Sequence, residues 1–236
     1  MQNLLQYVLP HHCALCTLIS KQGICDACRT DYFPSNRVRC LQCGIPLNSR
    51  SDNRCGACLK EPPHFDRTLV SCDYLAPVDS LVLGLKFGRD LRYAKLIAEQ
   101  LESIVIRHFT QTSTTPHIFC PVPLSRQRLI ARGFNQSLEI AKNLKLPPNN
   151  KLAPNLVWRL KETLQQSSLH PDDRYHNVRG AFFTNPECRE EIDGKHLVVV
   201  DDVITTGTTL NEIARVLKQA GAISVSNLVF ARTTWH

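Results

Sequence analysis

Two adjacent carboxylates, Asp201 and Asp202, stand between an apolar segment and a turn rich in threonine and glycine. The apolar residues 197–200 are typical of a parallel strand buried on both faces, and the apolar stripe within residues 210–217 predicts a helix. In open α/β sheets, ligands bind where a strand ends and the next helix begins, because backbone N–H groups there attract anions. We therefore expect an anion-binding site at the carboxyl end of this strand.

The turn after the carboxylates consists of Thr205, Thr206, Gly207, Thr208 and Thr209. Its glycine, which has no Cβ, lets the backbone close around a phosphate. The two carboxylates would repel that phosphate unless they bind ribose hydroxyls, or a metal ion that bridges to them. The pattern therefore favours a sugar-phosphate site over a strand followed by a solvated turn. We expect both carboxylates to be exposed to solvent when no ligand is bound.

Eight of the eleven cysteines form four Cys-x-x-Cys pairs near the amino terminus. Each such turn directs two sulfurs at one point, and two turns complete a closed tetrahedral zinc site. The spacing therefore predicts two zinc ions, with serial pairing as the simplest arrangement and interleaved pairing of alternate turns left open. The serial groups are Cys13, Cys16, Cys25 and Cys28, and then Cys40, Cys43, Cys55 and Cys58.

Disulfides and redox-active cysteine pairs are the alternatives to zinc. The sequence shows no secretory signal, and four regular Cys-x-x-Cys pairs in an intracellular chain favour metal. A closed site with four thiolates has no open position for water, so we expect these zinc ions to stabilise the fold and not to catalyse.

The composition fits two domains and no membrane span. A zinc-ribbon domain over residues 1–63 is too small to fold without metal, whereas residues 64–236 suffice for one α/β domain, with the boundary near Pro62 and Pro63. No run reaches the roughly 18 apolar residues that a membrane-spanning helix needs, and the amino terminus lacks a basic start. We expect a cytoplasmic protein that is not inserted in a membrane.

The positive charge of the chain is concentrated in one tract. The formal charge of +7 falls to about +3 when eight thiolates bind two Zn²⁺. Between Ser103 and Lys161, however, there are nine lysines or arginines and a single acid, Glu139. This basic tract predicts a solvated basic face, a site for an anionic small ligand or a surface that binds nucleic acid.

Part of that charge lies on three arginines beyond a second strand. Residues 117–121 read as a strand that ends at a Pro-Val-Pro segment, and we expect Arg126, Arg128 and Arg132 on the loop that follows. Three guanidinium groups beyond a strand can bind a pyrophosphate through charge-assisted hydrogen bonds. The alternative is a set of surface arginines at the start of a helix.

Two segments resemble known proteins. LVVVDDVITTGTT, from Leu197 to Thr209, resembles the phosphoribosyltransferase motif, and PVPLSRQRLIARGFNQS resembles the corresponding loop of the ComF/GntX branch. The resemblance implies a type I phosphoribosyltransferase-like α/β fold, in which a parallel sheet is flanked by helices and preceded by a small zinc-ribbon domain. It also implies that Asp201 and Asp202 contact the ribose hydroxyls of phosphoribosyl pyrophosphate (PRPP), bound with Mg²⁺, and that the threonine turn wraps its 5′-phosphate.

The resemblance to the ComF/GntX branch extends over most of the chain. It includes the stretch from Leu81 to Arg89, which contains Lys86 and Phe87. It also includes the run from Arg159 to Phe182, whose position is that of the mobile lid over PRPP, although an ordinary surface loop remains the alternative. Within this run Thr163, Gln166, Arg174 and Asn177 match the family pattern, and Arg174 and Asn177 are the candidate lid residues.

The family relation implies a role in natural competence. Such a protein would help imported single-stranded DNA reach the recombination machinery, in the cytoplasm or at the inner face of the membrane during DNA uptake, with competence or recombination proteins as partners. If the chain is a catalyst, it would transfer the phosphoribosyl group of PRPP to a nitrogen nucleophile, but no spaced set of residues identifies the acceptor. The alternatives are a nucleotide-salvage phosphoribosyltransferase with an appended ribbon and a nucleic-acid-binding adaptor without a ligand.

Overall fold

A parallel β-sheet forms the centre of the computed structural model, which describes residues 12–49, 53–109, 115–160 and 180–234. Five strands of the described chain pair in the order β1-β7-β6-β2-β3, every neighbouring pair is parallel, and β4 and β5 form a separate antiparallel pair. The bounds are Arg67–Asp73 (β1), His117–Pro121 (β2), Lys151–Leu152 (β3), Val157–Arg159 (β4), Phe182–Thr184 (β5), His196–Ile204 (β6) and Ser224–Arg232 (β7).

The apolar segment before the carboxylates forms the central strand β6, as predicted. The strand does not end before the carboxylates, however, because pairing with β7 continues through Asp201, opposite Val229, to Ile204, opposite Arg232. Its neighbour on the other side, β2, ends earlier, opposite Val200. The carboxylates therefore belong to the strand itself, in the part that extends past its shorter neighbour.

Helices cover both faces of the sheet because the side chains of β6 alternate between them. Val198 and Val200 pack in one apolar cluster with α3, α4 and α6, whereas Leu197 and Val199 pack in another with α8. The helices are Asp26–Tyr32 (α1), Gly56–Lys60 (α2), Asp79–Lys86 (α3), Arg92–Phe109 (α4), Arg126–Arg132 (α5), Gln136–Lys142 (α6), Arg189–Ile192 (α7) and Thr208–Gln219 (α8). None of the described helices is long and apolar enough to cross a lipid bilayer.

The amino-terminal residues form two small units with the same hydrogen-bond pattern. In the first unit, the backbone N–H of Cys13 donates to the carbonyl of Leu18 over 2.8 Å, and in the second Cys40 donates to Ile45 over the same distance. In each unit the second Cys-x-x-Cys pair begins immediately before the short helix, α1 or α2. The sequence repeat is thus a structural repeat.

Both units pack against the sheet and its covering helix. Ile24 of the first unit belongs to the same apolar cluster as Ile97 and Leu101 of α4. The second unit lies on the edge strand β1, where the N–H of Thr68 donates to the carbonyl of Leu41 over 2.9 Å. The ribbon and the sheet therefore share apolar core, and the boundary at residue 63 stays a prediction.

Candidate functional site

A cleft of about 320 Å³ opens at the carboxyl ends of the parallel strands. Tyr74 follows β1, Val122 follows β2, and the threonine turn follows β6, so the connections after three parallel strands meet there. This is the position where open α/β sheets bind ligands. Its polar lining consists of Tyr74, Lys86, Arg128, Gln136, Arg159 and residues within the segment 201–210.

Asp202 forms an ion pair with a lysine that lies far away in the sequence. The Nζ atom of Lys86, at the end of α3, is 2.6 Å from Oδ2 of Asp202, and only 3% of Asp202 is exposed. The other carboxylate oxygen accepts a hydrogen bond from the N–H of Val203 over 2.9 Å. A cation is thus already present beside this carboxylate, at a position where it can also attract the charge of a phosphate.

Asp201 is buried as well, with 8% of the residue exposed, and it accepts a hydrogen bond from the hydroxyl of Ser137 over 2.8 Å. Burial, and then the neighbouring charge of Asp202, raises the pKa of Asp201 from 3.8 to about 7, against the opposing influence of Lys86 and Ser137. The expectation that both carboxylates open to solvent is therefore wrong. The physical reason is that α3 and α6 bring Lys86 and Ser137 against the extended end of β6.

The threonine turn has the backbone geometry that its glycine predicts. Gly207 adopts a left-handed conformation with φ of +85° and directly precedes α8, a helix of 12 residues. The hydroxyls of Thr206 and Thr208 are 2.8 Å apart, so they bond to one another across the glycine. A turn of this shape at the start of a helix supplies backbone N–H groups and hydroxyls for a phosphate.

The three arginines lie on a helix and not on the predicted loop. Ser125 caps the helix α5 by accepting from the N–H of Arg128, and Gly133 ends it with φ of +86°, which are cap signals that the sequence interpretation missed. Arg128 lines the cleft. Arg132 donates to Gln136 and lies over the ring of Phe87, and the exposed Arg126 is outside the lining.

The candidate lid residues Arg174 and Asn177, together with Thr163 and Gln166, lie outside the described residues. Their roles stay predictions.

The eight paired cysteines form two clusters in the serial arrangement. Within each group the four sulfur atoms all lie within 4.8 Å of one another. The sulfurs of Cys16 and Cys25 are 3.7 Å apart, and those of Cys43 and Cys55 are 3.6 Å apart. Sulfurs bound to zinc at about 2.3 Å in a tetrahedron are separated by roughly 3.8 Å. The thiols therefore fit structural zinc. The first cluster is Cys13, Cys16, Cys25 and Cys28, and the second is Cys40, Cys43, Cys55 and Cys58.

A second cleft, of about 370 Å³, lies between the ribbon units and α4. Its lining includes the aromatic ring of Phe33, one acid, Glu99, and the arginines Arg29, Arg37, Arg39 and Arg107. Arg37 and Arg39 form ion pairs with Asp73, the latter at 2.8 Å. We call this the arginine cleft.

Three of the nine cations in the predicted basic tract are paired with acids in the described part of the chain, one of which is the tract's own Glu139. Its lysines at positions 142, 145 and 151 form ion pairs with Glu139, Glu102 and Glu191. Of the tract's described cations only Arg107 lines the arginine cleft, whereas Arg29, Arg37 and Arg39 come from the ribbon units.

Comparison with known proteins agrees with this architecture. Residues 4–59 match the double zinc ribbon domain, and residues 146–233 match the phosphoribosyl transferase domain. DNA utilization protein YhgH of Escherichia coli K12 is 33% identical over 234 residues, which cover 95% of this chain and 98% of that protein. Competence protein F of Haemophilus influenzae is 32% identical over 229 residues, covering 94% and 95%.

The chain belongs to the family of competence protein F and YhgH. A further member, competence protein ComFC of Bacillus subtilis, is 33% identical over 117 residues, 49% of this chain and 45% of that protein. The predicted family and fold class are confirmed: a parallel sheet with flanking helices follows an amino-terminal double zinc ribbon.

Sequence reasoning assigned no role to Lys86 and Ser137, the side chains that bond to the two carboxylates. Lys86 lies in a stretch that carried the family resemblance, but its partner Asp202 is more than a hundred positions away. Ser137 is the last residue of the resembling segment PVPLSRQRLIARGFNQS. Position within resembling segments was the signal that could have identified both.

Proposed function

We propose that this competence-family protein binds PRPP with Mg²⁺ in the cleft at the carboxyl end of the sheet, and that it handles imported single-stranded DNA in the cytoplasm during natural transformation. The observation that carries the proposal is the convergence of Asp201, Asp202, Lys86 and the threonine turn on one cleft. Competence is the role in the names of two relatives, and DNA utilization is that of another.

Each part of PRPP has a matching group in the cleft. The carboxylates of Asp201 and Asp202 would accept from the ribose hydroxyls, and the Thr205–Thr209 turn would bind the 5′-phosphate. Lys86 and Arg128 would bind the pyrophosphate through charge-assisted hydrogen bonds. When bound, Mg²⁺ would neutralise charge on the pyrophosphate oxygens, with the carboxylates as its protein ligands.

We propose PRPP binding only, and we assign none of the described residues to a nitrogen acceptor for phosphoribosyl transfer. Retention of PRPP as a substrate or as a regulatory ligand is compatible with the same cleft. Transformation frequency and growth on purines distinguish the two physiological roles, since a salvage enzyme affects growth and a competence protein affects transformation.

For single-stranded DNA, we propose the arginine cleft as the binding surface. Arg29, Arg37, Arg39 and Arg107 line one cleft together with the aromatic ring of Phe33. Single-stranded nucleic acid is bound by cationic grooves that follow the phosphates and by aromatic rings on which bases stack. A single ring among several arginines favours binding with little sequence preference.

The PRPP proposal is tested by calorimetry with PRPP and Mg²⁺ on the wild type, on Lys86→Gln and on the control Lys142→Gln. Lys142 is an exposed lysine that pairs with Glu139, outside the cleft lining. Lys86→Gln should weaken binding by at least about tenfold, as expected for a lost charged hydrogen bond, and the control should bind like the wild type. If the wild type does not bind PRPP, the proposal is refuted. If Lys86→Gln binds PRPP more weakly but supports normal transformation, competence does not depend on PRPP binding.

The DNA proposal is tested by measuring the affinity for a short oligonucleotide against salt concentration. The logarithm of the binding constant falls linearly with the logarithm of the salt concentration, and each lost phosphate contact makes this slope shallower by about 0.7 for single strands. Arg107→Gln should show this loss and bind PRPP normally, whereas Lys145→Gln, which removes an ion-paired lysine of the same basic tract, should keep the wild-type slope. Equal slopes for all three proteins would exclude Arg107 from the DNA surface.

A further inference from the structure

Arg232, the last residue of β7, joins the second ribbon unit to the threonine turn. Only 4% of the residue is exposed. Its Nε donates to the carbonyl of Cys43 over 3.2 Å, and its Nη1 donates to the carbonyl of Ile204, also over 3.2 Å, and to that of Thr205. One buried guanidinium thus holds backbone from two distant parts of the chain.

The two parts that it joins both bear on ligands. Cys43 is a member of the second cysteine cluster, and Thr205, which follows Ile204, is the first residue of the turn proposed to bind the 5′-phosphate. Ile204 is held a second time by Thr233, whose N–H donates to the same carbonyl over 3.1 Å. The first residues of the turn are therefore fixed by groups at the end of β7.

The ribbon end of this connection is also held firmly against the sheet. Gly44, next to Cys43, has φ of +75°, and a Cβ built on it would lie 2.5 Å from the side chain of Val70. Such a distance is far below van der Waals contact, so only glycine permits this approach of the ribbon to β1. The carbonyl of Cys43 consequently has little freedom while the ribbon is folded.

The first cysteine cluster lacks an equivalent contact in the described structure. The corresponding carbonyl, of Cys16, accepts instead from the hydroxyl of its neighbour Thr17 over 2.6 Å. The two clusters have the same local geometry but different surroundings. This contrast provides an internal comparison for the role of the second cluster.

We propose that Arg232 is a positioning residue through which metal occupancy of the second cluster, Cys40, Cys43, Cys55 and Cys58, sets the conformation of the threonine turn and hence the affinity for PRPP. A metal ion that holds four cysteines fixes the Cys43 backbone, and the planar guanidinium carries that constraint to Ile204 and Thr205. The inference rests on the proposed PRPP site for its effect on affinity, but not for its effect on the turn.

The arginine is tested with Arg232→Lys, which keeps the charge but cannot donate in two directions as a fork does. The control is Arg67→Lys, which alters a half-buried arginine of β1 that bonds to Ser226 of β7. Arg232→Lys should retain two zinc ions per chain, speed amide hydrogen exchange in residues 204–209 and weaken PRPP binding about tenfold or more. The control should leave exchange in the turn unchanged.

The metal is tested by comparing Cys58→Ser with Cys28→Ser, which remove corresponding ligands of the second and first clusters. Cys58→Ser should reproduce the faster exchange in the turn and the weaker PRPP binding, and Cys28→Ser should leave both within twofold of the wild type. Equal effects of the two substitutions, or unchanged exchange in Arg232→Lys, would overturn the inference.

Failure of the PRPP site would look different from failure of the coupling. If the wild type does not bind PRPP, the proposed function is wrong, and the comparison of exchange in residues 204–209 between the wild type, Arg232→Lys and Cys58→Ser still decides whether Arg232 couples the cluster to the turn. If Cys58→Ser does not fold, Cys55→Ser, which removes a less buried ligand of the same cluster, replaces it in the comparison, and Arg232→Lys with intact metal still decides whether the arginine fixes the turn.

Discussion

Replacing Asp201 by asparagine should stabilise the ligand-free protein, and increasingly so as the pH rises. The substitution removes a buried carboxylate but keeps its size and its ability to accept from the hydroxyl of Ser137. Burial raises the pKa of this carboxyl group from 3.8 to about 7, which means that ionisation is disfavoured in the folded protein. The cost of that ionisation disappears in the variant.

The magnitude follows from the displaced pKa. Below pH 3.8, the pKa of Asp201 in the unfolded chain, the carboxyl group is protonated in both the folded and the unfolded protein, so it does not affect stability. Between pH 3.8 and about 7 only the unfolded chain ionises readily, so the free energy of unfolding falls as the pH rises. Each pH unit within this window costs about 1.4 kcal/mol, so the wild type should lose about 2 kcal/mol relative to Asp201→Asn between pH 5.5 and pH 8. Effects of the substitution on packing are the same at both pH values and cancel in this difference.

The assay is urea unfolding of both proteins, followed by circular dichroism without added Mg²⁺, at several pH values in this range. Ser137→Ala removes a hydrogen bond that favours the ionised carboxylate, so it should displace the titration to still higher pH. A stability difference between the wild type and Asp201→Asn that does not change with pH would refute the reasoning. It would mean that Lys86 and Ser137 fully offset the burial of the charge.

Three further outcomes are expected. PRPP affinity should increase with pH up to about 7 more steeply in the wild type than in Asp201→Asn by calorimetry, because ionised Asp201 accepts from the ribose hydroxyls better than the protonated acid, while the titration of the phosphate affects both proteins alike. Elemental analysis of freshly purified, reduced protein should give two zinc ions per chain, and one or none would contradict the zinc prediction. In thermal unfolding, Gly44→Ala should lower the free energy of unfolding by about 1–3 kcal/mol because the new Cβ clashes with Val70. Gly56→Ala, whose Cβ would have no atom within 4 Å, should leave it unchanged.

The parts of the structure that follow from local pattern could be predicted. The apolar residues before Asp201 had to form a buried strand, and the apolar stripe of α8 is buried as its period required. The cysteine pairs are equally local, since each Cys-x-x-Cys turn brings its own two sulfurs together. Serial pairing of those turns needed the structure, because interleaved pairing uses the same residues.

The features that were missed depend on distant parts of the chain or on weak local signals. The burial of Asp201 and Asp202 results from Lys86 and Ser137, which other helices bring to the end of β6. Helix α5 lies where the sequence predicts a loop, because its cap residues stand beside a Pro-Val-Pro segment that indicates irregular structure. The link through Arg232 had no sequence signal, since a lone arginine near the end of a chain resembles any surface cation.

The ribbon units also have a consequence for solubility. Strand β1 is one of the two edge strands of the described sheet, and the second ribbon unit lies along its free side, where the carbonyl of Leu41 accepts from the N–H of Thr68. An uncovered edge strand offers unpaired N–H and C=O groups to any other extended chain, which makes it a starting point for aggregation. A chain that has not acquired its metal would expose this edge, so zinc limitation should make the protein prone to aggregate through β1.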